Sequence, residues 1–249
     1  MKILVIADIH GNAEALSAIL GKEQDADSTV FLGDAVLSGP QPNETIELLK
    51  GLSGTLIQGN HDLDALEPER FAHWPPDWLA LNRWCLDTLD DSGYEFLRCL
   101  KPEGEYAEGG VRMLLKHGVI LDEPHLGLPD TPDDHLATFA TDSDCPNVLF
   151  GHSHIQFTRT IDGQHFINPG SVGQSRCGKR LACYGLFEDG VYRHCQAEYD
   201  PTPWLDAVDK IAPLDAFPEF REWLKEGFLH GYGIGEKEPW IRFSQEGYV

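Results

Sequence analysis

Five short polar clusters, each closing an apolar run of strand length, constrain this chain more than any other feature. Asp8-Ile9-His10-Gly11-Asn12 follows the run Lys2 to Ala7, and Gly33-Asp34 follows Thr29 to Leu32. Gly59-Asn60-His61-Asp62 follows Thr55 to Ile57, Lys116-His117-Gly118 ends the run from Val111, and Gly151-His152-Ser153-His154 follows Val148 to Phe150. Near-continuous apolar runs belong to strands buried on both faces. Helical spacing separates the first three runs. Asn12 is an acceptable N-cap ahead of Ala15, Leu16, Ile19 and Leu20, and Asn43 opens a short helix carrying Ile46, Leu48 and Leu49. Strands alternating with helices predict a layered α/β fold with a parallel sheet. In such sheets ligands bind beyond the carboxyl ends of the strands, so loops distant in sequence converge there.

The middle of the chain reads differently. Residues 64–100 place Phe71, Trp74, Trp78, Leu81, Trp84, Leu89, Phe96 and Leu97 at helical spacing, broken at Pro75-Pro76. That predicts a helical insertion or cap, its aromatics serving as core in preference to a base-stacking platform. Further on, Thr158 to Ile161 and His165 to Ile167 flank Asp162-Gly163, and Leu181 to Phe187 and Val191 to Cys195 flank Glu188-Asp189-Gly190. These read as two hairpins. Antiparallel hairpins after parallel units imply either one mixed sheet or two sheets packed together. Residues 201–249 read as a helical extension through Trp204, Leu205, Val208, Phe220, Trp223 and Leu224, so all 249 residues suit a single elaborated domain.

No apolar run is long enough to cross a bilayer, and the N-terminal run reaches a carboxylate too soon for a signal peptide. Six cysteines without a CxxC pair fit free thiols in a reducing compartment. The expectation is therefore a cytoplasmic protein with no membrane partner. A formal charge of −22 argues against nucleic acid bound through a basic footprint. It does not argue against a small phosphate ester, because local cations outweigh the global field.

The clusters mix carboxylate, imidazole and one amide oxygen. That mixture suits Mn, Fe, Co, Ni or Zn rather than Ca or a thiolate zinc site. Asp8-x-His10 and His152-x-His154 project their side chains together if the backbone is extended, and can divide them between neighbouring metals if it bends. Asp34 is suited to bridge two cations. Singly each cluster is weak, and an isolated His such as His117 is more often structural. Gly-Asn-His-Asp is sharper, expected by chance at about the 10⁻³ level in a chain this long.

Taken in order, Asp-x-His, Gly-Asp, Gly-Asn-His-Asp, His-Gly and Gly-His-x-His resemble the calcineurin-like metallophosphoesterase superfamily. The stretches from Gly33 to Glu44 and from Ile167 to Gln174 resemble its small bacterial and archaeal phosphodiesterase-type branch. The resemblance runs from Lys2 to about Phe187. It implies a two-sheet mixed β-sandwich flanked by helices, with the site at one end, and two divalent metal ions as cofactors. It places Asp8, His10 and His154 on one metal and Asn60, His117 and His152 on the other, with Asp34 between them. Water between the cations is the implied nucleophile. His61 is implied as proton donor to the leaving oxygen, with Asp62 orienting it, and Asn12, Asn60 and His61 as substrate contacts. The protein Ser/Thr phosphatase branch carries Asp-Arg where this chain has Leu37-Ser38, which turns the expected substrate from phosphoproteins toward small, nucleotide-like phosphate esters. A catalytically silent scaffold is the alternative, although no ligand is missing. Asn168-Pro169-Gly170-Ser171 reads either as a loop touching the site or as a turn supporting the metal loops, and Arg176, Lys179 and Arg180 as a solvated loop by default, with phosphate or nucleotide binding as the alternative.

Overall fold

The N-terminal run forms strand β1 (Lys2–Ile6), and its side chains divide by parity. Ile3 and Val5 face one core, Leu4 and Ile6 another, as period-two geometry requires of a strand covered on both sides. The computed structural model describes residues 1–118, 127–176, 178–234, 237 and 240–249; Cys177, one of the six expected thiols, lies outside them.

In the first sheet, β2 (Ser28–Phe31) and β3 (Gly54–Leu56) run parallel to β1, β9 (Ala182–Glu188) runs antiparallel to it, and β10 (Val191–Ala197) runs antiparallel to β9, in the order β10-β9-β1-β2-β3. The second has the order β4-β5-β6-β8-β7, formed by β4 (Glu103–Glu108), β5 (Val111–Lys116), β6 (Asn147–Leu149), β7 (Gln156–Ile161) and β8 (Gln164–Pro169). There β5, β6 and β8 are parallel and the two edges antiparallel. Both sheets are mixed, and they pack face to face. Ile3, Val5, Val30 and Leu32 of one meet Met113, Leu115, Leu149 and Ile167 of the other. Each such side chain contributes about 1.5–3 kcal/mol when removed from water.

Helices cover the outer faces. Leu16 and Ile19 of α1 (Ala13–Lys22) and Ile46 and Leu49 of α2 (Pro42–Lys50) pack under Leu4, Ile6 and Phe31. The insertion comprises α3 (Asn60–Leu66), α4 (Pro76–Thr88) and α5 (Asp91–Cys99). Pro76 takes the first position of α4, where its missing N–H costs nothing. On the second sheet, Leu136 of α6 (Asp133–Ala137) covers Leu114, Val148 and Phe166. The C-terminal extension holds α7 (Thr202–Asp209), α8 (Pro218–Leu229) and α9 (Trp240–Gln245). No helix among the described residues is long and apolar enough to cross a membrane.

Both hairpins turn on Asp-Gly. Asp162 (φ 49°) and Gly163 (φ 85°), like Asp189 (φ 51°) and Gly190 (φ 81°), are left-handed, as a type I′ turn requires. Glu188 pairs with Val191, so the second loop has two residues, not three. Two elements depart from the sequence reading. Strand β4 was not predicted. And α3 begins at Asn60, so Gly59-Asn60-His61-Asp62 is the junction at which the helical insertion starts.

Candidate metal centre

The loops after β1, β2, β3, β5 and β6 do converge, and the backbone bends sharply where they meet. Asp8 (φ 55°), His10 (48°), Asp34 (62°), His152 (66°) and His154 (62°) are all left-handed. Each is a conformation that a side-chain-bearing residue adopts at a cost of about 1–3 kcal/mol unless its surroundings impose it. Main-chain bonds impose it here. Asp8 N donates to Gly33 O (2.9 Å), Ile9 N and His10 N both donate to Asp34 O (2.8 and 3.0 Å), and Gly173 N donates to Asp8 O (3.0 Å). Close approach without a Cβ completes the fit. A methyl group at Gly59 would lie 2.1 Å from Asp34 Oδ1.

Two donor groups result: Asp8, His10 and His154, and Asp34, His117 and His152, each with ligand atoms within 4.8 Å of one another. The bend divides His152 from His154 yet keeps Asp8 with His10. Asn60 joins the second group, its Oδ1 3.0 Å from His117 Nε2. Asp34 faces both, with Oδ2 3.1 Å from His117 Nε2 and 3.7 Å from His10 Nε2. His61 forms a third such group with His10 and Asp34.

Hydrogen bonds behind the rings fix which nitrogens face inward. His117 Nδ1 is 2.7 Å from Leu32 O and His154 Nδ1 is 2.9 Å from Gln174 O, so both rings donate there and turn Nε2 toward the centre. His117 Nε2 then meets Asn60 Oδ1 and Asp34 Oδ2, and His10 Nε2 stands 3.2 Å from His154 Nε2. Asp34 Oδ2 and His10 Nδ1 are buried without a hydrogen-bond partner. An ionised carboxylate oxygen left without a hydrogen-bond partner in a buried space calls for positive charge beside it, and nitrogen with oxygen donors fit a borderline divalent cation.

The electrostatics agree. Burial pushes His10 and His154 well below the usual imidazole range and His152 down to about 3, so these rings keep their lone pairs. Burial would lower His117 too, but the carboxylates of Asp34 and Asp8 outweigh it and raise it to about 10. Burial opposes ionisation of Asp34, yet the charge on His117 holds it well below the usual carboxylate range.

Two assigned roles change. The Asp62 carboxylate does not orient His61. It accepts from Asp34 N and Ala35 N (both 2.8 Å) and from Gly59 N (2.9 Å), clamping two metal loops together while fully buried. Asn12 does not line the cavity described below. Its Oδ1 caps α1 at Ala15 N (3.1 Å), its Nδ2 donates to Gly173 O and Tyr199 OH, and it is fully buried. Of its two readings, the Asn168 turn takes the supporting one. Asn168 Nδ2 donates to Gly151 O (2.8 Å), and Ser171 Oγ to Asp8 O (2.7 Å).

His10, Asp34, His61, His152 and His154 open onto a cavity of about 490 Å³. Asp8 and His117 are buried and do not line it. His61 stands at its edge, backbone N bonded to Asp34 Oδ1 (2.8 Å), its ring edge-on to His10 and Trp74 with centroids 4.9 and 5.9 Å away. The cavity adds residues the sequence reading did not place in the site: Ser38, Trp74, Pro75, Trp78, Gln174, Arg176 and Ile234. Trp74 and Trp78 pack on the core and form its wall at once. Arg176 belongs to the pocket, not to a solvated loop. The signal for it was its place as the first residue of the local basic cluster, two positions after Gln174.

A model of the calcineurin-like phosphoesterase superfamily domain matches residues 1–188. An uncharacterized protein of Methanocaldococcus jannaschii is 30% identical over 254 residues, spanning 92% of this chain and 98% of the relative. A hypothetical protein from Pyrococcus horikoshii superposes with a TM-score of 0.78 at 22% identity, covering 94% of this chain and 99% of its own. A metallophosphoesterase from Sphaerobacter thermophilus superposes with a TM-score of 0.67 at 24% identity, covering 85% and 95%. These last two share the fold.

Proposed function

Because the chain belongs to the calcineurin-like phosphoesterase superfamily, we propose that it is a hydrolase of small phosphodiesters or phosphomonoesters working with two divalent cations drawn from Mn, Fe, Co, Ni and Zn. The observation that carries this reading is the pair of adjacent donor groups, Asp8–His10–His154 and Asp34–His117–His152, beside one cavity. Two cations supply, when bound, acidification of water and compensation of the phosphoryl charge. Asp34, which faces both groups, is assigned the bridging position. Asn60 adds an amide oxygen to the second group. His61 hands a proton to the leaving oxygen. Its Nδ1 is buried, which leaves Nε2 as the proton-carrying atom. Trp74, Pro75, Trp78 and Ile234 exclude water from the leaving-group side. The size and aromatic wall of that cavity favour a small, nucleotide-like ester.

The test is hydrolysis of an aryl phosphodiester and an aryl phosphomonoester with Mn²⁺, Co²⁺ or Ni²⁺ added, beside an Asp34→Ala variant. Metal-dependent turnover that falls at least about 100-fold in the variant is expected. An inert wild type with every metal, or an undiminished variant, would overturn the reading.

A further inference from the structure

His152 and His154 share one loop, but different parts of the chain hold them. The side before His152 is tied to the second sheet and to the β1 loop. Gly151 N donates to His117 O (3.0 Å), Asn168 Nδ2 to Gly151 O (2.8 Å), and His152 N to Asp8 Oδ2 (3.0 Å). His154 is backed instead by the C-terminal extension. Ile155, the one residue between His154 and β7, is fully buried in a cluster with Trp240 and Phe243 of α9. Next to it Gln156 N donates to Val249 O (2.6 Å), and Tyr248 N donates to Phe243 O (3.0 Å), so residues 248 and 249 turn back from α9 onto the start of β7. The Gln156 side chain is fixed by the sheets, its Nε2 donating to the carbonyls of Pro169, Tyr184 and Cys195. Ile155 is therefore the step at which α9 sets how the chain leaves His154.

The ring has a second support of the same origin. Gln174 O accepts from His154 Nδ1 (2.9 Å), and Gly233 lies directly against that oxygen, where a Cβ would stand 3.3 Å away. Gly233 is left-handed (φ 63°), so its lack of a side chain serves both the turn and the close approach. Gly233, Trp240, Phe243 and Val249 all lie beyond residues 1–188, the segment that the superfamily model matches. Ligand distances hold within about 0.2 Å, and the groups behind a ligating ring set its orientation, so moving that backing weakens the site.

We propose that Gly233, Phe243 and Val249 position His154, so that the cation place at Asp8, His10 and His154 depends on the C-terminal extension while the place at Asp34, His117 and His152 forms without it. The proposal rests on the two-cation reading above.

The experiment titrates the metal-free protein with Mn²⁺ by calorimetry, in wild type, His154→Ala, Phe243→Ala, Phe243→Leu and the His154→Ala/Phe243→Ala double variant. Two binding events are expected in wild type, one of them abolished in His154→Ala. Phe243→Ala is expected to weaken that same event about tenfold to a hundredfold and to leave the other within about twofold. Phe243→Leu, which refills most of the space, restores most of the loss, and the double variant binds no more weakly than His154→Ala. Leu224→Ala, buried in α8 among a different cluster, loses stability in urea unfolding and keeps both events. Both events intact in folded Phe243→Ala, both weakened equally, or the same loss in Leu224→Ala would overturn the proposal. Where Phe243→Ala does not fold, Gly233→Ala decides in its place, since its Cβ presses on Gln174 O from outside the cluster. The His154 event weakened there supports the proposal, and unchanged events overturn it. A wild type that binds no Mn²⁺ would overturn the two-cation reading itself, whereas two intact events in Phe243→Ala would overturn only the role of the extension.

Discussion

Replacing Gly59 with alanine adds one methyl group where the first turn of α3 meets the Asp34 loop. The backbone there (φ −95°, ψ 179°) suits any residue, so the conformational effect alone favours alanine by about 0.4–1 kcal/mol through the unfolded chain. The space does not. The new Cβ would stand 2.1 Å from Asp34 Oδ1 and 2.4 Å from Asp34 N, where real Cβ contacts stay beyond 3.0 Å. Closing those differences displaces the carboxylate by about 0.9 Å and the main chain by about 0.6 Å. The displacement spreads, since Asp34 Oδ1 also accepts from His61 N and Asp34 N donates to Asp62. Overpacking of this kind costs about 1–3 kcal/mol. Metal sites hold their distances within about 0.2 Å, and a shift near 1 Å costs about 100-fold in rate. Gly59→Ala is therefore expected to lose about 1–2 kcal/mol in urea unfolding, to carry less metal by elemental analysis, and to turn over an aryl ester about 100-fold more slowly. Gly21→Ala on α1, whose Cβ meets nothing within 4 Å, is the matched control and is expected to gain up to about 1 kcal/mol. Wild-type metal content and turnover in Gly59→Ala would refute the claim that Asp34 is held in register by that close approach.

Two further expectations concern single side chains. His61→Gln is expected to lower kcat by about 10²–10⁴-fold at unchanged metal content; loss of metal instead would assign His61 to the cations through its group with His10 and Asp34. Burial pushes the Cys85 thiol up to about 12, and its Sγ lies 3.2 Å from Gly39 O, so it stays protonated and enclosed at pH 8. Among the described cysteines, only Cys99 is exposed, so a thiol reagent on the native protein is expected to modify Cys99 and to reach Cys85 only after unfolding, as peptide mapping would show.

The legible part of this fold was the part written in strong periodicity. β1 is apolar at every position from Ile3 to Ile6, and the metal-site loops follow such runs directly, so strand ends and donor candidates were visible together. Strand β4 was not, because Glu-Gly-Glu-Tyr-Ala-Glu buries only Tyr106 at a sheet edge and reads as a polar loop. Asp62 and Asn12 show the same limit from the other side. Their residue types suit both catalysis and backbone support, and only the positions of Asp34 N, Ala35 N and Ala15 N decide between them. Trp74 and Trp78 carry a helical period that signals burial. That one face of them borders a cavity depends on where α4 lies against the metal loops, which periodicity does not encode. Arg176 borders the cavity while its guanidinium lies over the Trp240 ring, more than sixty residues downstream.

The placing of β1 between β2 and β9 has a consequence for how the chain comes into being. Ile3 pairs with Ser28 on one side and with Phe187 on the other. The first edge can zip as soon as the α1 crossover and β2 have been made, but the second waits until about three-quarters of these 249 residues have been made. Throughout that interval an apolar strand presents an unpaired edge, the template on which chains associate wrongly. All seven proposed metal ligands lie upstream of β9, so they leave the ribosome before the strand that closes their sheet. A fragment truncated just short of β9 would carry every one of those ligands and still be the form of this protein most prone to aggregate.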